Sequence, residues 1–166
     1  LRLPAERRSG GSDVAAAEIR RAFSLGADTR EGLYEDLRLE FRGGQIVLIT
    51  EPRGAGKSVL LRQIAARDRT AVRLDCASLA RAEAPAVELL GGPVGRRTEL
   101  LSLCGLADAR AMVRPAKLLS GGQRYRLAVA VAIDRATRHR RRRLILADEF
   151  AAVLDDTTAE HLARRL

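Results

Sequence analysis

Changes in the spacing of apolar and polar positions mark out the elements of this chain. Ser12 or Asp13 is positioned to cap a short helix reaching about Phe23, with Val14, Ile19 and Phe23 at helical spacing. Leu37, Leu39 and Phe41 alternate with charged residues, as in a half-buried strand. Gly43-Gly44 predicts a turn, and the apolar run at 45–50 predicts a short strand. A helix is expected from Lys57 to Arg67 and a strand over 71–75. Residues 78–113 read as mostly helical, broken near Pro85 and across 91–95. A further helix should begin within 120–123 and reach about Thr137, followed by a buried strand at 144–147 and a helix over 156–166. Strands alternating with helices predict an α/β fold with a mainly parallel central sheet.

Composition narrows this picture only slightly. The 166 residues are enough for one domain with a hydrophobic core. The longest apolar run, 127–133, is too short to span a bilayer, and residues 1–12 lack the apolar stretch of a secretory signal, so no direct membrane insertion is expected. The two cysteines, Cys76 and Cys104, have no metal-type spacing and suit a reducing, cytoplasmic setting. A net charge of +9 raises a nucleic-acid partner as one possibility. Nearly all the cations are arginine, however, which is the mark of a biased composition as much as of a function. Against that background Lys57, one of only two lysines, stands out where a compact ammonium must fit a tight loop. The basic run 138–143 reads as a solvated loop or as a contact to a phosphate backbone.

Three constellations carry chemistry. The first is a strand followed by Glu51-Pro52-Arg53-Gly54-Ala55-Gly56-Lys57-Ser58 and then a helix. Glycines there let successive backbone N–H groups turn toward phosphate oxygens, and the helix N-terminus favours an anion. Arg53, Gly54, Ala55, Gly56, Lys57, Ser58 and Val59 are the candidate nucleotide contacts, with Lys57 on the β- and γ-phosphates and the Ser58 hydroxyl on Mg²⁺. The second is Leu119-Ser120-Gly121-Gly122-Gln123, opening a long apolar helix. Its glycines bring amides close to a phosphate and Ser120 is a hydrogen-bond donor, although a plain helix cap reads the same way. The third is Leu144-Ile145-Leu146-Ala147-Asp148-Glu149, an apolar strand whose two acids fall at the carboxyl edge of a sheet, where α/β folds bind ligands. Asp148 suits Mg²⁺ and Glu149 suits orienting an attacking water.

In this order the three elements resemble the nucleotide-binding domain of ATP-binding-cassette ATPases, over residues 31–166, with residues 1–30 as a lead-in. The resemblance implies a P-loop NTPase fold, Mg²⁺ and ATP as cofactors, and Lys57, Asp148 and Glu149 as catalytic residues. It also implies a head-to-tail dimer in which Ser120, Gly121, Gly122 and Gln123 serve the ATP of the partner subunit. Leu100 to Ala109, followed by Lys117-Leu118-Leu119, is similar to the helical lead-in of the signature, and Asp155 matches the acidic residue of the following loop. Phe23 and Tyr34 flank the place of the adenine-stacking aromatic, though either also suits a core.

Several positions depart from the pattern. Glu51 replaces the first loop glycine, Phe150 replaces the proline after the catalytic acid, and no glutamine occurs between Gln63 and Gln123, where the family has its Gln loop. That interval is short, implying a reduced helical subdomain. The switch histidine would fall past Leu166, so the resemblance implies a shortened or truncated domain whose C-terminal part lies outside this sequence; His139 and His161 are both misplaced for the role. These departures argue against a standard transporter partner and favour a shortened soluble relative. The Asp148-Glu149-Phe150 triplet is similar to a cytosolic group associated with predicted acetyltransferases. Two alternatives stand beside ATP hydrolysis: a non-hydrolysing ATP-binding dimerisation module, and a nucleic-acid-associated ATPase.

Overall fold

The computed structural model describes Glu18, Ala22 and residues 37–50, 56–138 and 144–148. By its contacts the chain forms two compact units, Leu1–Ile64 and Ala65–Leu166.

In the first unit, Glu18 and Ala22 are helical and exposed, as the expected helix ending near Phe23 requires. Residues 37–41 keep the expected alternation of half-buried Leu37, Leu39 and Phe41 with exposed Arg38 and Glu40, but only Arg38 takes part in a bridge. The strand expected at 45–50 does not form: Ile46 and Leu48 are 75% and 79% exposed, and the segment makes no ladder. Strand preference reflects packing against cross-strand neighbours rather than the backbone alone, so an apolar run without a neighbour has nothing to hold it extended. The turn before it is as expected. Gly44 has φ 78°, and the Gln45 amide and its side-chain carbonyl bond reciprocally with the Arg42 carbonyl and amide.

Helix α1, Lys57–Arg67, starts where the sequence places it. Gly56 opens it with φ 104°, a conformation that disfavours any Cβ, and its carbonyl accepts the first helical bond from Leu60 N at 2.9 Å. Leu60 and Ile64, four residues apart, are buried along one face.

The second unit holds strand β1, Val72–Arg73, helix α2, Cys76–Leu79, a 3-10 turn at Ala86–Leu89, and helix α3, Val94–Leu103. Helix α4, Ala109–Val113, a second 3-10 turn at Ala116–Leu118, helix α5, Gly121–Thr137, and strand β2, Ile145–Leu146, complete it. The break near Pro85 and the pause before Val94 are as expected. A further break follows α3, because Gly105 takes φ 80°. There the Leu106 amide donates to Leu101 O at 2.8 Å and Gly105 N to Ser102 O at 3.0 Å, the paired bonds of a Schellman cap. Both Leu101 and Leu106 are buried, which supplies the apolar contact of that motif. A Cβ on Gly105 would also come within 3.2 Å of Arg126 Cδ. Gly105→Ala is therefore expected to lose about 1–2 kcal/mol in urea denaturation; an unchanged midpoint would refute this reading of the cap.

Helix α5 is the spine of this unit. Nine of its residues are buried, from Tyr125 to Ala136, so water reaches little of its surface beyond the first turn. It packs with Leu79, Ala86, Leu90, Leu101, Leu106 and Met112 into one core. Val72, Ala132 and Ala136 form a second, smaller cluster that seats β1 against the same helix. β1 and β2 pair in parallel, Val72 with Ile145 and Arg73 with Leu146. Among the described residues the sheet has these two strands, parallel as expected but far smaller than a full central sheet.

Candidate functional site

The phosphate-loop candidates divide at Gly56. Glu51, Arg53, Gly54 and Ala55 lie outside the described residues. Lys57, Ser58 and Val59 form the first turn of α1, whose N–H groups have no acceptors within the helix. Ser58 is exposed, and its carbonyl accepts from Arg62 Nε at 3.2 Å. The sequence thus gives this turn what an anion site needs: a glycine able to take positive φ, a lysine and a hydroxyl.

The signature lies in the second unit, at the N-terminus of α5. Ser120 is the N-cap, with φ −62° and ψ 163°. Its Oγ accepts from Gln123 N at 3.2 Å, while Gln123 Oε1 accepts from Ser120 N at 3.0 Å. This reciprocal capping box accounts for the choice of Ser120 and Gln123 by local structure alone. It leaves the Ser120 proton without an acceptor among the described residues, because a hydroxyl that accepts remains a donor. Gly121 differs. Its φ is not positive and a Cβ there would meet nothing within 4 Å, so neither strain nor packing within the described residues calls for glycine.

The lead-in to the signature has a partner that the sequence reading missed. Pro85 and Pro115 form an antiparallel bridge. Proline lacks an N–H, so the flanking residues make the bonds: Ala86 N to Arg114 O at 3.1 Å, Ala116 N to Ala84 O at 3.0 Å and Lys117 N to Ala82 O at 3.1 Å. Each proline is followed by alanine and a 3-10 turn, and that Pro-Ala recurrence was the available signal. Lys117 is also ion-paired with Glu83 at 2.7 Å.

Asp148 follows β2 and is exposed at its carboxyl end. Glu149 lies outside the described residues, as do Phe150 and Asp155. The register brings a second carboxylate to this edge. Leu74 N donates to Leu146 O at 3.0 Å, the bond that closes the Arg73–Leu146 pair, so Asp75 and Asp148 each lie two residues past the last paired residue of their strand. Asp75 already caps α2, accepting from Ser78 N at 2.9 Å, and this bond holds its carboxyl below the usual range. Among the described residues no three potential ligands gather for a metal.

Burial raises the thiol pKa of both cysteines. Cys104 is pushed up to about 11. Cys76 is raised first by burial and then by the Asp75 charge, against the opposing pull of Arg124. Neither is thiolate at neutral pH, as expected of packing residues.

Of the basic run, Arg138 is described and is already engaged. Its guanidinium bonds Asp134 Oδ2 at 2.9 Å, so this arginine is not held out for a phosphate backbone. His139 and 140–143 lie outside the described residues, as do Phe23, Tyr34 and His161. Among the described residues no helix is long and apolar enough to cross a membrane.

Comparison with known proteins finds relatives among ATP-binding proteins. A lipoprotein-releasing system ATP-binding protein, LolD, of Novosphingobium aromaticivorans is 32% identical, over 90% of this chain and 80% of its own length. The LolD protein of Nitrobacter hamburgensis is 30% identical over 90% of this chain and 77% of its own. A macrolide export ATP-binding/permease protein, MacB, of Rhodopseudomonas palustris is 30% identical over 94% of this chain and 28% of its own length. No family model and no solved structure matches. The expectation of a role away from transporters loses support here, since these relatives are named for a releasing system and for export. The chain therefore belongs to the ATP-binding-cassette family of ATP-binding proteins.

Proposed function

We propose that this chain binds Mg-ATP and hydrolyses it as one half of a head-to-tail dimer, with residues 31–166 forming the ATP-binding domain. The observation that carries the proposal is the likeness to ATP-binding proteins over 90% of the chain. Gly56 at positive φ opening the helix of Lys57 and Ser58 supports it. Arg53, Gly54, Ala55, Gly56 and Val59 contribute the backbone cradle, and Lys57 neutralises the β- and γ-phosphates. The Ser58 hydroxyl and the Asp148 carboxylate are hard oxygen donors of the type that holds Mg²⁺ with phosphate and water, a set needing only one or two carboxylates. The ion would neutralise charge building on the phosphate oxygens. Glu149 orients the attacking water.

Ser120, Gly121, Gly122 and Gln123 act in trans on the ATP of the partner. Gly121 supports this, because its missing side chain is unexplained by its own surroundings and suits close approach by another molecule. The names of the relatives suggest a membrane permease as the further partner, with the chain on the cytoplasmic side.

Glu149→Gln tests the assignment. It should leave nucleotide affinity within about two-fold and lower phosphate release by at least roughly 100-fold, the scale of general-base loss. Turnover at the unaltered rate would sink the role given to Glu149. Tight binding without any release by the unaltered chain would point instead to a non-hydrolysing dimerisation module, for which Glu51 is the motive.

A further inference from the structure

Arg124 lies one residue beyond the signature, yet its side chain turns back over it. A single nitrogen, Nη2, donates to Leu119 O at 2.7 Å and to Lys117 O at 3.2 Å. Those carbonyls flank Leu118, so the guanidinium spans the turn that delivers Ser120. On its other edge the same turn is tied to the neighbouring segment through Lys117 N and Ala82 O. Arg124 Nε is buried with no partner among the described residues. A buried donor left unmatched is unusual, and here it accompanies a geometry that directs the outer nitrogen at two carbonyls. Arg126, two positions on, donates to Gly122 O at 3.3 Å and to Gly105 O at 2.9 Å, neither of them in the lead-in. Arg124 is thus the arginine of this helix that holds the lead-in.

We propose that Arg124 is a positioning residue for the signature: by clamping the carbonyls of Lys117 and Leu119 it fixes the backbone entering Ser120, and so governs how tightly the signature captures the terminal phosphate of a nucleotide bound to another copy of this chain. The proposal rests on the trans role given to Ser120 above. The capping box orients the Ser120 hydroxyl relative to its own helix, and the clamp orients the strand of backbone arriving at that helix. Both are needed before the donor meets an incoming phosphate at a set distance. Methionine keeps the length of the side chain but donates no hydrogen bond, whereas lysine reaches a carbonyl with a single point donor.

The test compares the unaltered chain, Arg124→Met, Arg124→Lys and Ser120→Ala. Association in Mg²⁺ and the β,γ-imido analogue of ATP is measured by sedimentation velocity. Affinity for a fluorescent ATP analogue is measured at concentrations where the chain is monomeric. Arg124→Met should weaken association about ten-fold or more, with monomer affinity held within about two-fold, and Arg124→Lys should recover part of the loss. Association of Arg124→Met equal to the unaltered chain, with Ser120→Ala weakened, overturns the inference and leaves the signature reading intact. Ser120→Ala without effect, or an unaltered chain that stays monomeric with the analogue, overturns both. Should Arg124→Met melt well below the unaltered chain, Arg124→Lys decides: association weakened at full thermal stability supports the clamp, and unweakened association overturns it.

Discussion

Lys57→Ala is expected to bind Mg-ATP roughly 10- to 100-fold more weakly, read by titration with a fluorescent nucleotide. A hydrogen bond between charged groups contributes about 1.5–3 kcal/mol, and each 1.4 kcal/mol is a factor of ten. The fold should be almost indifferent. Lys57 is the first residue of α1, where alanine is at least as good a helix former. Lys57→Arg is the sharper comparison. Of thirty basic residues in this chain only two are lysines, so a lysine kept at the mouth of this helix suggests that a planar guanidinium does not fit. The arginine variant should therefore bind as weakly as the alanine variant, although its charge is unchanged. Full affinity in the alanine variant would remove Lys57 from the phosphate site.

Asp134→Ala is expected to be the most destabilising change at a charged position among the described residues. Asp134 is fully buried in the last turns of α5, close to the negative end of the helix dipole, where an anion is unfavourable by itself. Three neighbours offset that cost. Gly91 N donates to Oδ2 at 3.0 Å, the Arg96 guanidinium bonds Oδ1, and Arg138 bonds Oδ2 at 2.9 Å. Arg96 Nη1 also donates to Gly91 O at 3.0 Å and Nη2 to Thr137 Oγ1 at 3.2 Å, which ties the turn before α3 to the end of α5. Gly91 belongs to the same arrangement, since a Cβ there would strike the Arg138 guanidinium. Removing one member of a buried ion pair typically costs 3–5 kcal/mol. The two arginine side chains are 38% and 46% exposed and can regain water, so a loss of about 2–3 kcal/mol is the better figure here. The melting temperature should fall by about 4–12 °C. Asp134→Asn, which keeps an acceptor for Gly91 N, should lose less. Equal losses in the two variants would show that the neutral acceptor contributes nothing and that the charge accounts for the whole effect.

Much of the candidate site was legible because its signals are local. The helix at Lys57–Arg67 and the helix opening at Ser120 were read from a glycine-rich loop and from the signature run, and the capping box that starts the second helix acts within one turn of backbone. The strands at Val72–Arg73 and Ile145–Leu146 were legible as short apolar runs, and their parallel pairing followed from the alternation of strand and helix. Residues 45–50 carry an equally apolar run and form no strand, because a strand exists only by virtue of a neighbour.

The remaining features depend on residues far apart in the chain, and no local pattern encodes them. The sequence by itself determined the family, the order of phosphate loop, signature and acidic strand end, and the two helix N-termini at which the candidate phosphate contacts lie. Only the tertiary structure decided that Pro85 meets Pro115, that Val72 pairs with Ile145, and that Asp134 is buried between Arg96 and Arg138. It also turned Arg124 from one arginine among many into a clamp on the turn before Ser120. The physical reason is the range of the interactions: caps and glycine turns are settled within about four residues of backbone, whereas burial of a charge or sharing of a carbonyl is settled by whatever the fold brings alongside.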